Sequence, residues 1–429
     1  MFCNQCEQTV AKKGCTTIGV CGKSEKTAAM QDLLTYAVRG FCQVAVAGRM
    51  LGVIDPDADR FILKALFSTL TNVNFDPVRF KKMIKETVEK REELQYRVAG
   101  AGGPKDYEDP AAAFHPPEDA AALVEYGQKI GLPIDCDRNE DIKSLQETVL
   151  YGVRGVAAYA DHAAILGCED EDVYQGIQEK LAAITNKALG LDDWVGLALD
   201  VGRLNLKAME LLDQGNTERF GHPEPTQVTI GSKPGRAILI SGHDLKDLEA
   251  LLEQTKDKGI NVYTHGEMLP GHAYPEFKKH PHLAGHFGTA WQNQAKEMAQ
   301  FPGPVLFTTN CIQKPSDSYK ENVFTTGVVG WHGIPHLDNR DFGAVIERAL
   351  QTDGFEKEEQ TGTTWVGYHR NTILQQHPMG SVIDTLVNYV KSGTIRHFFL
   401  VGGCDGAKSG RNYYSEFVDQ APDNTVILT

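Results

Sequence analysis

The sequence lacks long hydrophobic runs. None of its 429 residues falls in a stretch of about 18 consecutive apolar side chains, so we expect no membrane span. The first residues are polar and rich in cysteine, unlike the apolar segment of a secretory signal peptide. We therefore predict a cytoplasmic protein, in a compartment whose reducing conditions keep cysteines as thiols.

Positive charge is also scarce. The chain has 43 lysines and arginines against 57 aspartates and glutamates, which gives a net charge of −14. Because a chain of this charge repels a phosphate backbone, nucleic acid is excluded as a partner.

Nucleotide-binding fingerprints are missing as well. Neither G-x-G-x-x-G after an apolar run nor G-x-x-x-x-G-K-[ST] occurs in the sequence. A redox enzyme without a nucleotide site takes its electrons from another protein, so we predict an external electron-donor protein as a partner.

The sequence does contain a dense group of cysteines at its start. Four of its nine cysteines form the pattern C-x2-C-x8-C-x5-C, at Cys3, Cys6, Cys15 and Cys21. Four thiolates suit either one zinc ion or an iron–sulfur cluster, and these loop lengths match neither a zinc ribbon nor the usual ferredoxin spacing. Two disulfides are the alternative, but a reducing compartment disfavours them. We therefore predict a metal site here.

Periodicity divides the chain into a helical part and an α/β part. Residues 25–225 are predicted to be mainly helical, interrupted by a Gly/Pro/Ala-rich connector at 99–117. A second Pro/Gly-rich stretch at 217–235 marks a domain boundary. Beyond it, short apolar runs alternate with helices, which predicts a parallel sheet in α/β units.

One short segment occurs twice in the helical part. The sequence YAVRG at residues 36–40 recurs as YGVRG at 151–155, each within an apolar helical stretch. The repeat suggests two related helical bundles. We expect Arg39 and Arg154 to be solvated or to cap helices.

Reactive side chains directly follow four of the apolar runs. His243 follows 237–240, Glu267 follows 261–264, Cys311 follows 304–308, and Cys404 follows 397–401. The carboxyl ends of parallel strands meet at one edge of a sheet, where α/β proteins bind ligands. One imidazole, one carboxylate and two thiolates are therefore predicted to converge in a mixed-ligand metal centre. Each also has a structural alternative, such as a buried cysteine, a helix cap or a spectator histidine.

Histidines and tryptophans near these runs have simpler interpretations. Lysines beside the middle members suggest an exposed loop, and so surface positions, for His265, His272, His280, His282 and His286. Trp291 and Trp331 are expected to pack in the core, with the lining of a substrate channel as the alternative.

Together, these motifs carry a family resemblance. The N-terminal cysteine pattern with the segments SGHDL, HGEMLP, TTNCIQ and VGGCDGAKSGRNYY closely resembles the hybrid cluster (prismane) protein family along essentially all 429 residues. The resemblance implies a multidomain α and α/β fold. A helical domain of two related bundles would span 1–225, a Rossmann-like domain 226–372, and an incomplete second Rossmann-like domain 373–429.

The resemblance also implies cofactors and a reaction. Cys3, Cys6, Cys15 and Cys21 match the ligands of a 4Fe-4S cluster. Ligands of a 4Fe-2S-2O hybrid cluster are matched by His243, Glu267, Cys311 and Cys404, of which His243, Glu267 and Cys404 are the implied catalytic residues, Cys404 at a position that can carry a persulfide. The implied reaction is reduction of hydroxylamine to ammonia and water. Reduction of nitric oxide to nitrous oxide is implied as a physiological role.

Some implied ligands have no counterpart in this sequence. The family supplies two further cysteines, a glutamate and a neighbouring lysine after the region matched here, whereas this sequence closes with the apolar run 424–429 and its last residue is Thr429. The remaining ligands of the hybrid cluster are therefore predicted to lie beyond Thr429. We expect a C-terminally truncated fragment that assembles only part of the hybrid cluster and is inactive alone.

Three other functions remain open. A carbon monoxide dehydrogenase-like enzyme would place a metal cluster similarly. A nitric oxide sensor or protein S-nitrosylase would use the same cluster without reducing hydroxylamine. A zinc-stabilised structural protein would use the cysteines alone, and would be colourless where iron–sulfur clusters are brown.

Overall fold

The structure is a computed structural model that describes residues 1–6, 8–9, 13–131, 139–374, 376–377, 380–403, 405–406 and 409–428. Two predictions lie outside these residues, the one for Cys404 and the one for ligands beyond Thr429. The helices are α1 (Glu25–Met50), α2 (Pro56–Ser68), α3 (Pro77–Gly100), α4 (Ala120–Lys129), α5 (Glu140–Ile165), α6 (Glu171–Ala182), α7 (Leu191–Phe220), α8 (Leu245–Thr255), α9 (Pro275–Lys278), α10 (Gln294–Glu297), α11 (Gly343–Leu350), α12 (Arg370–Leu374), α13 (Val382–Lys391) and α14 (Tyr413–Asp419).

The strands are short. They are β1 (Asn74–Phe75), β2 (Thr226–Ser232), β3 (Arg236–Ser241), β4 (Ile260–His265), β5 (Leu283–His286), β6 (Val305–Phe307), β7 (Val323–Thr326), β8 (Gly330–Trp331), β9 (His336–Leu337), β10 (Glu359–Val366), β11 (Gln376–His377), β12 (Gly380–Ser381), β13 (His397–Leu400) and β14 (Thr425–Leu428). In the parts of the chain described here, no helix is both long and apolar enough to cross a bilayer.

Helix α1 is the centre of the helical part. Ser24 caps its first turn by accepting a hydrogen bond from the backbone N–H of Thr27, and Leu33, Leu34 and Phe41 are completely buried. Helices α3, α4 and α6 pack around it. The sequence Asp76-Pro77 is typical of a helix start and begins α3 here, because Asp76 caps the helix and the proline lacks only an N–H that the first turn leaves unbonded.

The two arginines of the repeated segment are buried, so the expectation that they are solvated or cap helices is wrong. Arg39 forms a two-point ion pair with Asp109, at 2.8 and 3.1 Å, and Arg154 donates to the hydroxyl of Thr35 at 2.8 Å. Both copies of the segment line one cavity of about 440 Å³ beside Cys3. The partners are distant in sequence, which is why periodicity alone misplaced these side chains.

The main sheet has eight strands in the order β10-β2-β5-β4-β3-β6-β7-β9. All neighbouring pairs are parallel except β10 with β2, which are antiparallel. The predicted parallel sheet is therefore confirmed, with an antiparallel edge that the sequence pattern did not indicate. Strand β10 is largely exposed at this edge, so it carries no continuous apolar run.

The last part of the described chain forms a separate two-stranded sheet. Strands β13 and β14 are parallel and are connected through α14, which is the beginning of an α/β unit. The main helical part ends at Phe220 and the sheet begins at Thr226. The three predicted domains and their boundaries stay a prediction.

The two copies of the repeated segment differ in how much space surrounds their glycine. A Cβ atom on Gly40 would lie 2.1 Å from the backbone oxygen of Ala111, whereas one on Gly155 meets nothing within 4 Å. We expect Gly40→Ala to lower the free energy of unfolding by about 1–3 kcal/mol or more, because the clash is with backbone. Gly155→Ala is the matched control and should raise it by up to about 1 kcal/mol, through helix propensity. Urea unfolding followed by circular dichroism measures both; equal effects would contradict the packing argument.

Candidate metal centres

The carboxyl ends of three central strands lie at one level. In the register of the sheet, Ser241 of β3 pairs with His265 of β4 and with Phe307 of β6. The side chains that follow these residues therefore emerge along the same edge. This pairing brings together three segments that are up to 68 residues apart in the chain, between His243 and Cys311.

A glycine lets the chain turn from β3 into the site. Gly242 has φ +124°, and a Cβ atom there would lie 2.3 Å from the hydroxyl oxygen of Thr308. Only glycine allows this conformation and this close approach. Asp244 then caps α8 by accepting from the backbone N–H groups of Lys246 and Asp247, so His243 is left outside the helix.

His243, Glu267 and Cys311 meet at this edge. The nitrogen Nε2 of His243 lies 2.5 Å from Oε2 of Glu267, and Sγ of Cys311 lies 3.6 Å from the same oxygen. One ligand atom from each lies within 4.8 Å of the others, the only such group of three among the described residues. The geometry therefore brings together three of the four predicted ligands, and their role as ligands stays a prediction. Cys404 lies outside the described residues, as does Thr429, so ligands beyond Thr429 also stay a prediction.

The carboxylate of Glu267 is ionised in this arrangement. Its hydrogen bond with His243 is the largest influence and holds the pKa of Glu267 below its usual value. The alternative role as a helix cap is not seen, since the 3₁₀ helix Gly266–Ala273 that follows β4 has no side-chain cap. The carboxylate of Glu267 therefore points toward His243 and Cys311.

The backbone at Cys311 is strained and held from two sides. Cys311 has φ +81°, a conformation that costs non-glycine residues on the order of 1–3 kcal/mol. Its N–H donates to the backbone oxygen of Asn72 at 3.1 Å, and its own oxygen accepts from Nε2 of Gln294 at 2.6 Å. Asn72 belongs to the loop after α2, so the helical part of the chain fixes the direction of this thiol.

The N-terminal cysteines are folded back on one another. Backbone hydrogen bonds of 3.0 and 2.8 Å pair Cys3 with Cys15, and all four cysteines are free thiols, so the disulfide alternative is not seen. Burial raises the pKa of the Cys6 and Cys21 thiols. Deprotonated thiols here therefore need a positive partner, such as a metal.

Lys23 supplies positive charge to this loop. The side chain is buried, with 1% exposure, and its ammonium group lies 3.4 Å from Sγ of Cys3. A buried ammonium is unfavourable unless a negative group compensates it. The ammonium therefore favours net negative charge in this loop, such as that of thiolates together with the metal they bind.

A cavity joins the two cysteine sites. It has a volume of about 330 Å³, and its lining includes Cys6 of the first site, Cys311 of the second, and Trp291 and Tyr414. Trp291 lines this cavity, and its role in a substrate channel stays a prediction. Trp331 packs on Phe75 with ring centres 4.5 Å apart.

Three of the five clustered histidines are buried, so their expected surface position is wrong. His265, His272 and His286 are 1%, 8% and 2% exposed. The hydroxyl of Thr264 lies 2.9 Å from both His272 and His286, and burial lowers the pKa of these histidines to about 4 and about 3. Strand β5, which carries His286, is too short to be recognised by its pattern.

Several residues around the two sites escaped sequence reasoning. Gln294, Asn72 and Thr309 are ordinary polar residues whose contacts depend on the fold. Lys23 was recognisable in principle, because it stands two positions after Cys21 in a run of small residues and cysteines.

Comparison with known proteins now assigns the chain to a family. A family model described as the Prismane/CO dehydrogenase family matches residues 1–429, and the chain belongs to this family. Among curated relatives, hydroxylamine reductases of Methanocella arvoryzae and Syntrophobacter fumaroxidans are 54% identical over 430 residues and 55% identical over 429 residues. Both alignments cover 100% of this chain and 78% of the relative.

Solved structures show a more distant likeness. Carbon monoxide dehydrogenase IV from Carboxydothermus hydrogenoformans aligns with a TM-score of 0.46 at 14% identity, over 99% of this chain and 68% of that one. A carbon monoxide dehydrogenase from Thermococcus sp. AM4 aligns with the same TM-score and identity, over 99% and 67%.

The hydrogen bond from Gln294 that holds the backbone of Cys311 can be tested by mutation. Gln294→Ala removes the donor to the Cys311 oxygen and the acceptor for the N–H of Gln313, so we expect unfolding to become easier by about 1–3 kcal/mol. The Cys311 thiol should also react faster with iodoacetamide in the metal-free chain. Gln254→Ala is the matched control, because Gln254 bridges backbone groups of Arg340 and Phe342 in the same way. Equal thiol reactivity in both variants would show that Gln294 does not hold Cys311.

Proposed function

We propose that the chain is a hydroxylamine reductase with two iron–sulfur centres. Cys3, Cys6, Cys15 and Cys21 would hold a 4Fe-4S cluster; His243, Glu267, Cys311 and Cys404 would contribute ligands to a 4Fe-2S-2O hybrid cluster. The reaction is NH2OH + 2 e⁻ + 2 H⁺ → NH3 + H2O. The convergence of His243, Glu267 and Cys311 at the sheet edge carries the proposal. The names of relatives more than 50% identical support it.

The donor set of the second site fits redox chemistry. Imidazole, carboxylate and thiolate differ in softness, so together they suit iron bound partly by sulfide and partly by oxide. When bound, the iron supplies Lewis acidity and a store of electrons.

The first site is suited to electron transfer. A cluster bound by four thiolates has no position open to substrate. A cavity lined by Cys6, Cys311 and Trp291 supports a short path between the two proposed sites. We propose that an external donor protein delivers electrons at the N-terminal cysteines, from where they pass to the second site.

We propose three further features. Nitric oxide is a second candidate substrate, by 2 NO + 2 e⁻ + 2 H⁺ → N2O + H2O. We place the protein in the cytoplasm, where thiols stay reduced. We also propose a helical domain and two α/β domains, divided near residues 225 and 372.

The activity is tested on protein expressed from its full reading frame and purified without oxygen. It should be brown, contain iron, and reduce hydroxylamine with reduced methyl viologen as electron donor. Cys311→Ser should lower this activity at least about 100-fold, while the matched control Cys168→Ser, away from both sites, should keep it.

Three outcomes would overturn the proposal. A protein with both centres filled that leaves hydroxylamine and nitric oxide untouched would be a sensor or S-nitrosylase. Oxidation of carbon monoxide in their place would indicate a carbon monoxide dehydrogenase. A colourless protein that binds zinc alone would indicate a structural role.

Lys23 should set the reduction potential of the first centre. Reduction adds negative charge, which a nearby buried ammonium stabilises, so we expect Lys23→Met to lower the potential by on the order of 100 mV or more, since charges about 8 Å apart or closer interact by about 2 kcal/mol or more at an effective dielectric constant of about 20. Lys23→Arg keeps the charge and should retain most of the potential. Lys26→Met is the exposed control, whose charge solvent screens. Electron paramagnetic resonance at fixed potentials measures all three; an unchanged potential in Lys23→Met would refute the role.

A further inference from the structure

We infer that Thr309 is the positioning residue for His243. Its hydroxyl oxygen holds both the backbone and the ring of His243, and so directs Nε2 toward Glu267 and Cys311. The inference deepens the proposed function and rests on it, because it takes His243 to be a ligand.

A single oxygen atom of Thr309 makes two contacts with His243. The oxygen Oγ1 lies 2.8 Å from the backbone nitrogen of His243 and 2.9 Å from ring nitrogen Nδ1. A hydroxyl oxygen has two lone pairs, so it can accept from both N–H groups together. Thr309 is 2% exposed, so water does not compete readily for this oxygen.

The two ring nitrogens of His243 then have distinct tasks. A neutral imidazole that binds a metal through Nε2 carries its proton on Nδ1. An acceptor at Nδ1 stabilises this tautomer and fixes the plane of the ring. Thr309 provides that acceptor, while Nε2 lies 2.5 Å from the carboxylate of Glu267.

Neighbouring backbone contacts keep Thr309 in place. The backbone N–H of Thr308 donates to the oxygen of Ser241 at 2.9 Å, and the Thr308 hydroxyl lies 3.4 Å from the nitrogen of Asp244. The absence of a side chain on Gly242 is what allows this approach. Because Thr309 is β-branched, its χ1 angle is stiff, and its oxygen stays directed at His243.

The test measures metal affinity without relying on cluster assembly or turnover. The metal-free, reduced protein is titrated with Zn²⁺, and Cys311→Ser identifies which binding event belongs to His243, Glu267 and Cys311. Thr309→Val keeps the shape but loses the hydroxyl, and should weaken this event about 10–100-fold. Thr309→Ser keeps the hydroxyl and should bind within about threefold of the unmodified protein.

A second threonine–histidine contact offers a matched control. The hydroxyl of Thr325, in a buried position on β7, lies 3.0 Å from Nδ1 of His336, a histidine that is not one of the three ligand groups. Thr325→Val should therefore leave the Zn²⁺ affinity unchanged. Unfolding midpoints of all variants show whether a lost affinity reflects a lost fold.

Four results would overturn the role of Thr309. They are unchanged affinity in Thr309→Val, equal weakening in Thr309→Ser, equal weakening in Thr325→Val, and binding that Cys311→Ser leaves intact. If the affinities change as expected but the iron-loaded protein does not reduce hydroxylamine, the positioning role stands and the proposed function fails.

Discussion

The register of the central parallel strands is the constraint on which the second site depends. Ser241 pairs with both His265 and Phe307, so the segments that follow β3, β4 and β6 leave the sheet at one level. A slip by one residue would turn every side chain of a strand to the opposite face. That register is specified by completely buried side chains such as Ile238 and Ile240. The packing that stabilises the sheet thus also assembles the site.

The helical part contributes directly to that site. Its loop after α2 supplies the Asn72 oxygen that holds the strained backbone at Cys311. The same loop borders the cavity that Cys6 shares with Cys311. Strain at a single residue persists only where several contacts determine the backbone, and here they come from both parts of the chain. The loop that holds the backbone of Cys311 in the second site therefore also borders Cys6 of the first site.

Local sequence patterns predicted the features that depend on helix capping, burial and strand order. The Asp76–Pro77 helix start, the apolar strands and the edge at which His243, Glu267 and Cys311 meet follow from capping, burial and topology. Burial of the Arg39 side chain was missed, because it depends on Asp109, 70 residues away. The hydrogen bonds that hold the backbone of Cys311, to Asn72 and Gln294, were missed for the same reason. Contacts between distant segments have no signature in the spacing of residues.

The charged groups around the two sites differ, and this difference matches the different roles proposed for them. Near Cys3, the buried ammonium of Lys23 is compatible with folding only beside lasting negative charge, which a cluster bound by four thiolates provides. At the sheet edge, the carboxylate of Glu267 contacts the His243 ring and the Cys311 thiol. Four thiolates would leave a cluster no position open to substrate and would suit electron transfer, whereas a set of mixed ligands would suit iron that binds a substrate. In the proposed function, the cysteine group that dominates the sequence is the relay, and the chemistry takes place at the site that only the fold assembles.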